Sequence, residues 1–331
     1  MSAPPDAWAL PGLARWLDGV VSRIEAGVAL LPTRPAPPEG LMAALHARLA
    51  PRYSCVDLRP RAEASPAESL AEEFGARPLL EAFVGPALEG NVAIVELGDV
   101  GQSCRLEWVT FLCRLTALRA ERDEGLCVLA TGLEGAELGG LATLTPWHEA
   151  LRRGDLVIWA EECLPTGREG LLAELAVALA VALCGWRLDL AKMLVQAPAE
   201  DIADPLQWLR RIQEDASDGP PPCPLAALRA GRIGELTQRV WRAQLAVLFP
   251  ALEGWRVELV QAHRRALRLD AHLRGLGVRS VEEMELGALH FQLERLLRRD
   301  ALTRLQTMVR ARNALAHRKP VAPDDVLSLV T

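Results

Sequence analysis

The sequence predicts an α/β domain built on a parallel sheet, followed by an all-α helical bundle. Three observations predict it. Short apolar runs alternate with stretches of helical period up to about residue 160. No strand candidate follows residue 224. Between the two regions lies "EDASDGPPPCP", residues 214–224, where charge, glycine and four prolines leave neither helix nor strand a place to continue. That break sets the expected domains at residues 1–214 and 225–331, with a linker over 215–224.

Five runs read as strands: "GVALL" (27–31), "YSCVDL" (53–58), "NVAIVEL" (91–97), "GLCVLAT" (125–131) and "DLVIWA" (155–160). Each is short and mostly apolar, as a strand buried on both faces should be. Segments between them, such as "LMAALHARLA" and "CRLEWVTFLCRLTALRAERD", carry helical period, and strand alternating with helix implies a parallel sheet covered on both sides. The longest apolar run, "LLAELAVALAVALCGW" over 171–186, is interrupted by Glu174 and falls short of the roughly 20 residues a membrane span requires, so it reads as a buried helix. Beyond the break the helical patterns are "RIGELTQRVWRAQLAVLF", "ALEGWRVELVQAHRRALRLDAHLRGL", "VEEMELGALHFQLERLLRRD" and "ALTRLQTMVRARNALAH", closed by "APDDVLSLV".

Half of the 331 residues are hydrophobic, enough for a sizeable core without covalent staples. Acidic residues come early, and no basic start precedes an apolar block, which argues against a secretory signal. Seven cysteines, an odd number scattered without a C-x-x-C pair, point to reduced thiols in a cytoplasm and away from a zinc site. The net charge of −6 is uneven: from residue 223 onward 18 Lys and Arg face 11 Asp and Glu, a net +7 that leaves −13 for the rest. Nucleic acid is therefore a candidate partner for the C-terminal half only; the alternative is that the two halves attract each other.

The turn after the first strand is where an α/β domain of this kind would hold a phosphate. Here it is "PTRPAPPEG" (32–40). A phosphate cradle needs consecutive backbone N–H groups, close-approach glycines and a lysine. Pro32, Pro35, Pro37 and Pro38 lack the N–H, Gly40 is the only glycine in the turn, and the whole chain has two lysines, Lys192 and Lys319. Glu96 and Asp99, which end the third strand, then read as strand-end polar residues rather than metal-binding acids. In outline the first 220 residues resemble an inactivated P-loop ATPase of the STAND or AAA+ sort, as found in bacterial conflict and defence systems. The resemblance implies a recognition or scaffold domain without ATP hydrolysis and calls for no cofactor; a doubly wound domain of another family would give the same runs.

Near the C-terminus, "MVRARNALAHRKPV" (308–321) separates Arg312 and His317 by four residues, with Asn313 directly after the arginine and Pro320 beyond. This resembles the R-x4-6-H motif of HEPN domains, helical bundles that often act as metal-independent ribonucleases. "RVWRAQLAVLFPALEGWRVELV" upstream also resembles HEPN-containing defence proteins, and the likeness covers roughly the last 105 residues. It implies an endoribonuclease, or a domain of that fold kept for dimerisation or binding, with sites that commonly form across a homodimer.

The chemistry of the residues agrees with the first implication. Cleaving RNA without a metal requires a proton-transfer group and a fixed cation for the charge developing on phosphate; histidine suits the first task and an arginine fork the second. His317 would be the acid/base, Arg312 the phosphate clamp, and Asn313 a hydrogen-bonding group for the ring or the substrate. Arg295, Arg298, Arg299, Arg318 and Lys319 would track the RNA backbone. On an ideal helix Asn313 and His317 share a face, whereas Arg312 and His317 are about 140° apart. Arginine's length and a helix already ending before Pro320 relieve that divergence. The plainer alternative is that the arginine and histidine only cap helix carbonyls, and the chain would then be a non-catalytic adaptor of a defence or regulatory complex. His263, His272 and His290, spaced nine and eighteen apart, make no metal face. Cys113 and Cys127 lack a base, and Trp208, Trp241 and Trp255 read as core.

Overall fold

The computed structural model describes residues 5–32, 34–61, 63–122, 124–133, 141, 144–212 and 220–330. The chain divides into two compact units, Asp6–Asp155 and Leu156–Thr331. The first is α/β and the second is helical.

In the α/β unit, α1 (Pro11–Glu25) leads into β1 (Val28–Leu31), followed by α2 (Leu41–Leu49), β2 (Ser54–Leu58), α3 (Pro66–Phe74), β3 (Asn91–Glu96), α4 (Gln102–Arg122) and β4 (Cys127–Thr131). The strands form one sheet in the order β1-β4-β3-β2, every neighbouring pair parallel. Four of the five expected strands are present. Val92, Ala93, Ile94 and Val95 are all buried, which is why β3 reads as a continuous apolar run. Leu58, Ala93, Val95 and Val128 share a core with Leu70 of α3 and with Trp108, Leu112 and Leu115 of α4. The start of α3 follows from its sequence: the Ser65 hydroxyl accepts from the Glu68 N–H at 3.2 Å, the Glu68 carboxylate accepts from the Ser65 N–H at 2.8 Å, and Pro66 fills the first helical position.

The fifth expected strand is a helix. Residues 155–160 lie in α5 (Arg153–Glu162), where the buried positions Asp155, Trp159 and Ala160 follow helical spacing. The β-branched pair Val157 and Ile158 suggested a strand, but Ile158 is left exposed and tertiary packing overrides its propensity. Asp155 explains the local choice. Its buried carboxylate accepts from the Gly12 N–H in the first turn of α1 at 2.8 Å and from the Arg152 N–H at 2.7 Å. A Cβ at residue 12 would come within 2.5 Å of the Ala150 carbonyl oxygen, so only glycine fits under this cap.

The helical unit continues with α6 (Gly170–Leu179), α7 (Leu188–Gln196), α8 (Ala199–Ala203), α9 (Pro205–Ile212), α10 (Pro224–Arg229), α11 (Ile233–His263), α12 (Ala271–Gly275), α13 (Leu286–Leu293), α14 (Arg299–Ala316) and α15 (Pro323–Val330). The apolar run from 171 is a buried helix, as expected, finishing in a π-helical turn over Ala180–Cys184. Two helices expected to part at Pro250 are one 31-residue helix, α11. Pro250 is exposed, while Leu236, Val240, Ala243, Leu248, Leu252 and Val260 keep a buried stripe running past it. The burial of that stripe outweighs the one hydrogen bond proline removes. The second expected helix also stops earlier than its pattern, at His263, with α12 a separate short helix.

Among the described residues, α11 packs most extensively against α6, and α15 packs against α8. Helices that precede the proline-rich stretch therefore belong with those that follow it. The division into compact units falls at Asp155/Leu156, upstream of the linker expected at 215–224, of which residues 215–219 lie outside the described residues.

Replacing Asp155 by Ala strips two N–H groups of their partner, one of them buried, and is expected to destabilise the α/β unit by about 2–3 kcal/mol, read as a lowered midpoint in urea. An unchanged midpoint would show that the carboxylate does not hold α1 in place.

Candidate functional site

α14 carries every residue of the motif except His317, which is its C-cap. Leu305, Met308, Ala311 and Leu315 form its buried face, so Asn313 and Ala316 are turned to solvent. The helix ends in a defined way. The Arg318 N–H bonds the Leu315 carbonyl at 3.1 Å and the Lys319 N–H bonds the Ala314 carbonyl at 2.9 Å, the two bonds of a Schellman turn. That turn requires a left-handed residue, normally glycine; here it is Arg318, with φ of 58°.

Two residues of α11 fix this corner. The Trp241 indole N–H donates to the Leu315 carbonyl at 2.9 Å, and the Val321 N–H donates to the Gln244 amide oxygen at 2.7 Å in a fully buried contact. Arg310 ties α14 to α15: its Nε and Nη2 meet the Asp325 carboxylate at 3.1 and 2.6 Å, and Nη2 also reaches the Thr307 hydroxyl at 3.0 Å. Hydrogen bonding to Asp325 holds the Arg310 guanidinium above its ordinary range. In the sequence Trp241 reads only as core, and neither Gln244 nor Arg310 stands out as a site residue. Gln244 did carry a signal, as the one polar side chain in an apolar stripe.

The motif residues are placed as follows. Asn313 and His317 are exposed one turn apart, linked through the backbone by the His317 N–H to the Asn313 carbonyl at 3.0 Å. Arg318 and Lys319 follow, both exposed. Among the described residues none of these four side chains has a hydrogen bond or ion pair. Arg312 is directed elsewhere: its Nη2 pairs with Glu285 Oε2 at 2.8 Å, and its Nε is buried without a partner. The structure thus gathers Asn313, His317, Arg318 and Lys319 at one helix end and turns Arg312 toward α13. Arg295, Arg298 and Arg299 are exposed but sit at the other end of α14. Eighteen residues separate the two cationic groups by about 27 Å along the helix.

Other candidates have structural roles. Glu96 is paired with Arg59 at 3.0 Å, and Asp99 is exposed. In the loop after β1 the Trp147 indole N–H bonds the Pro35 carbonyl at 2.8 Å and the Trp8 indole N–H bonds the Glu39 carbonyl at 2.9 Å. Burial pushes the Cys127 thiol up, which disfavours the thiolate a nucleophile needs. Trp208 is core, whereas Trp255 is half-buried with the Arg304 guanidinium 4.9 Å over its ring. His263 and His290 are half-buried and His272 is exposed. No helix among the described residues is long and apolar enough to cross a membrane.

No protein-family model matches this chain, and no curated protein matches it.

Substituting Gln244 by Met leaves the buried Val321 N–H unbonded and is expected to lower stability by about 1–3 kcal/mol in chemical denaturation. A midpoint equal to wild type would mean the corner does not depend on this contact. Arg318→Gly is expected to act in the opposite direction, raising stability by roughly 0.5–1 kcal/mol as the left-handed strain is relieved. A lower melting temperature would show that the arginine side chain contributes more than its backbone costs.

Proposed function

We propose that this protein is a metal-independent endoribonuclease of the HEPN type, serving a bacterial defence or conflict system, with its active residues at the C-terminal end of α14. The observation that carries the reading is that the helix ends on His317, which leaves an exposed imidazole one turn from an exposed amide, Asn313, and beside two free cations, Arg318 and Lys319. An imidazole there can exchange a proton with a 2′-hydroxyl or a leaving 5′-oxygen, while the cations hold phosphate. Arg312 is the clamp for charge developing in the transition state, and Arg295, Arg298 and Arg299 extend the RNA track along the helix. The products are a 2′,3′-cyclic phosphate and a 5′-hydroxyl. The α/β unit acts as a regulator resembling a P-loop NTPase that has lost hydrolysis: four prolines deprive its first loop of N–H groups, and two of its carbonyls are held by indoles. The site of action is the cytoplasm.

A second reading, an adaptor that binds a partner protein or a second copy of itself, has one observation in its favour. Leu276, Phe291 and Leu296 of the helical unit are 59% or more exposed, as side chains awaiting a protein surface would be.

Incubating wild type and His317→Ala with total RNA in EDTA separates the readings. The nuclease reading expects cyclic-phosphate ends from the wild type and a loss of at least about a hundredfold in the variant. Equal cleavage by both proteins would refute it, and intact RNA in both lanes would favour the adaptor.

A further inference from the structure

We propose that Glu285 is an internal stand-in for phosphate: it occupies the Arg312 guanidinium in the resting protein and must leave before that arginine binds RNA. This rests on the reading of Arg312 as the phosphate clamp. A carboxylate offers a guanidinium the same pair of oxygens as a phosphate does, and either is held best when two N–H groups point at it in parallel.

The Arg312 fork is only half used. Nη2 meets Glu285 Oε2 at 2.8 Å, but the neighbouring Nε, part of the same fork, is buried and bonds nothing. Arg310, two residues earlier on the same helix, shows what full engagement looks like. It bonds both Asp325 oxygens and Thr307, and Asp325 is only 13% exposed. Glu285 is 59% exposed. It is also the N-cap of α13, yet its side chain makes no capping bond, so nothing in that helix holds the carboxylate in place. An ion pair this exposed is weak, and an anion able to take both Nε and Nη2 displaces it readily. One arginine is therefore committed to the fold, and the other is kept charged and available behind a loose internal anion.

The test measures binding of a fluorescein-labelled, single-stranded 2′-O-methyl oligoribonucleotide, which has no free 2′-hydroxyl and is not cleaved, to the full chain. Five proteins are compared: wild type, Glu285→Gln, Arg312→Ala, the double variant, and Glu294→Gln. The last removes one exposed negative charge at the far end of the same helix. Circular dichroism melts verify that each is folded. Glu285→Gln is expected to tighten binding roughly two- to fivefold, more than Glu294→Gln, with the gain vanishing when Arg312 is also alanine. Affinity equal to wild type, or the same gain in the Arg312→Ala background, overturns the stand-in. The reading of Arg312 as clamp survives that result, provided Arg312→Ala alone still weakens binding. If Arg312→Ala binds as wild type does, both fall.

Discussion

The hydrogen bond from the Val321 N–H to the buried amide of Gln244 is the contact on which the C-terminal corner depends. It fixes the chain just after α14 to the middle of α11, and α11 in turn packs along α6. With the Trp241 indole taking the Leu315 carbonyl from the same side, the last turn of α14 is held at two points by one helix. Such a clamp permits a strained ending. Arg318 adopts a left-handed conformation because the two Schellman bonds and the Gln244 contact over-determine the path around it.

A consequence reaches the proposed chemistry. A glycine in that turn would close the helix equally well but would supply no cation. The arginine keeps a positive charge beside His317, at a conformational cost the surrounding bonds absorb. The arginines at the C-terminal end of α14 and just past it divide by the same logic. Arg310 bonds both Asp325 oxygens and the Thr307 hydroxyl and joins two helices, whereas Arg312 meets one exposed carboxylate and Arg318 meets none. The last two keep guanidinium N–H groups that no group among the described residues takes, and both lie within the motif segment.

Much of the fold was legible in the sequence because buried strands and amphipathic helices have different periods. The inner strands β3 and β4 of the parallel order β1-β4-β3-β2 are apolar runs buried on both faces, whereas the edge strand β2 exposes Ser54 and Asp57. The misreading of residues 155–160 arose from Val157 and Ile158, whose strand propensity says nothing of the long-range bond between Asp155 and Gly12. Pro250 misled in a similar way: local chemistry argued for a break, and a stripe of buried side chains carried the helix through. The proline-rich stretch before residue 224 suggested a domain boundary, but compactness is decided by which faces pack, which no local signal records. At the site, the sequence supplied Arg312, Asn313 and His317 and the divergence of the arginine from the histidine. It gave no hint of Glu285, since an exposed acid ahead of a helix is unremarkable until its partner is known.

The central claim is that RNA meets this protein at His317. The most direct measurement is a nitrogen-15 NMR titration of histidine-labelled protein with an uncleavable single-stranded 2′-O-methyl oligoribonucleotide. The chain has six histidines, and a His317→Ala sample assigns the relevant ring signals by their disappearance. The His317 ring resonances are expected to shift in proportion to bound RNA, while those of His46 and His148, in the α/β unit, stay in place. Saturation with RNA that leaves the His317 signals where they began would contradict it.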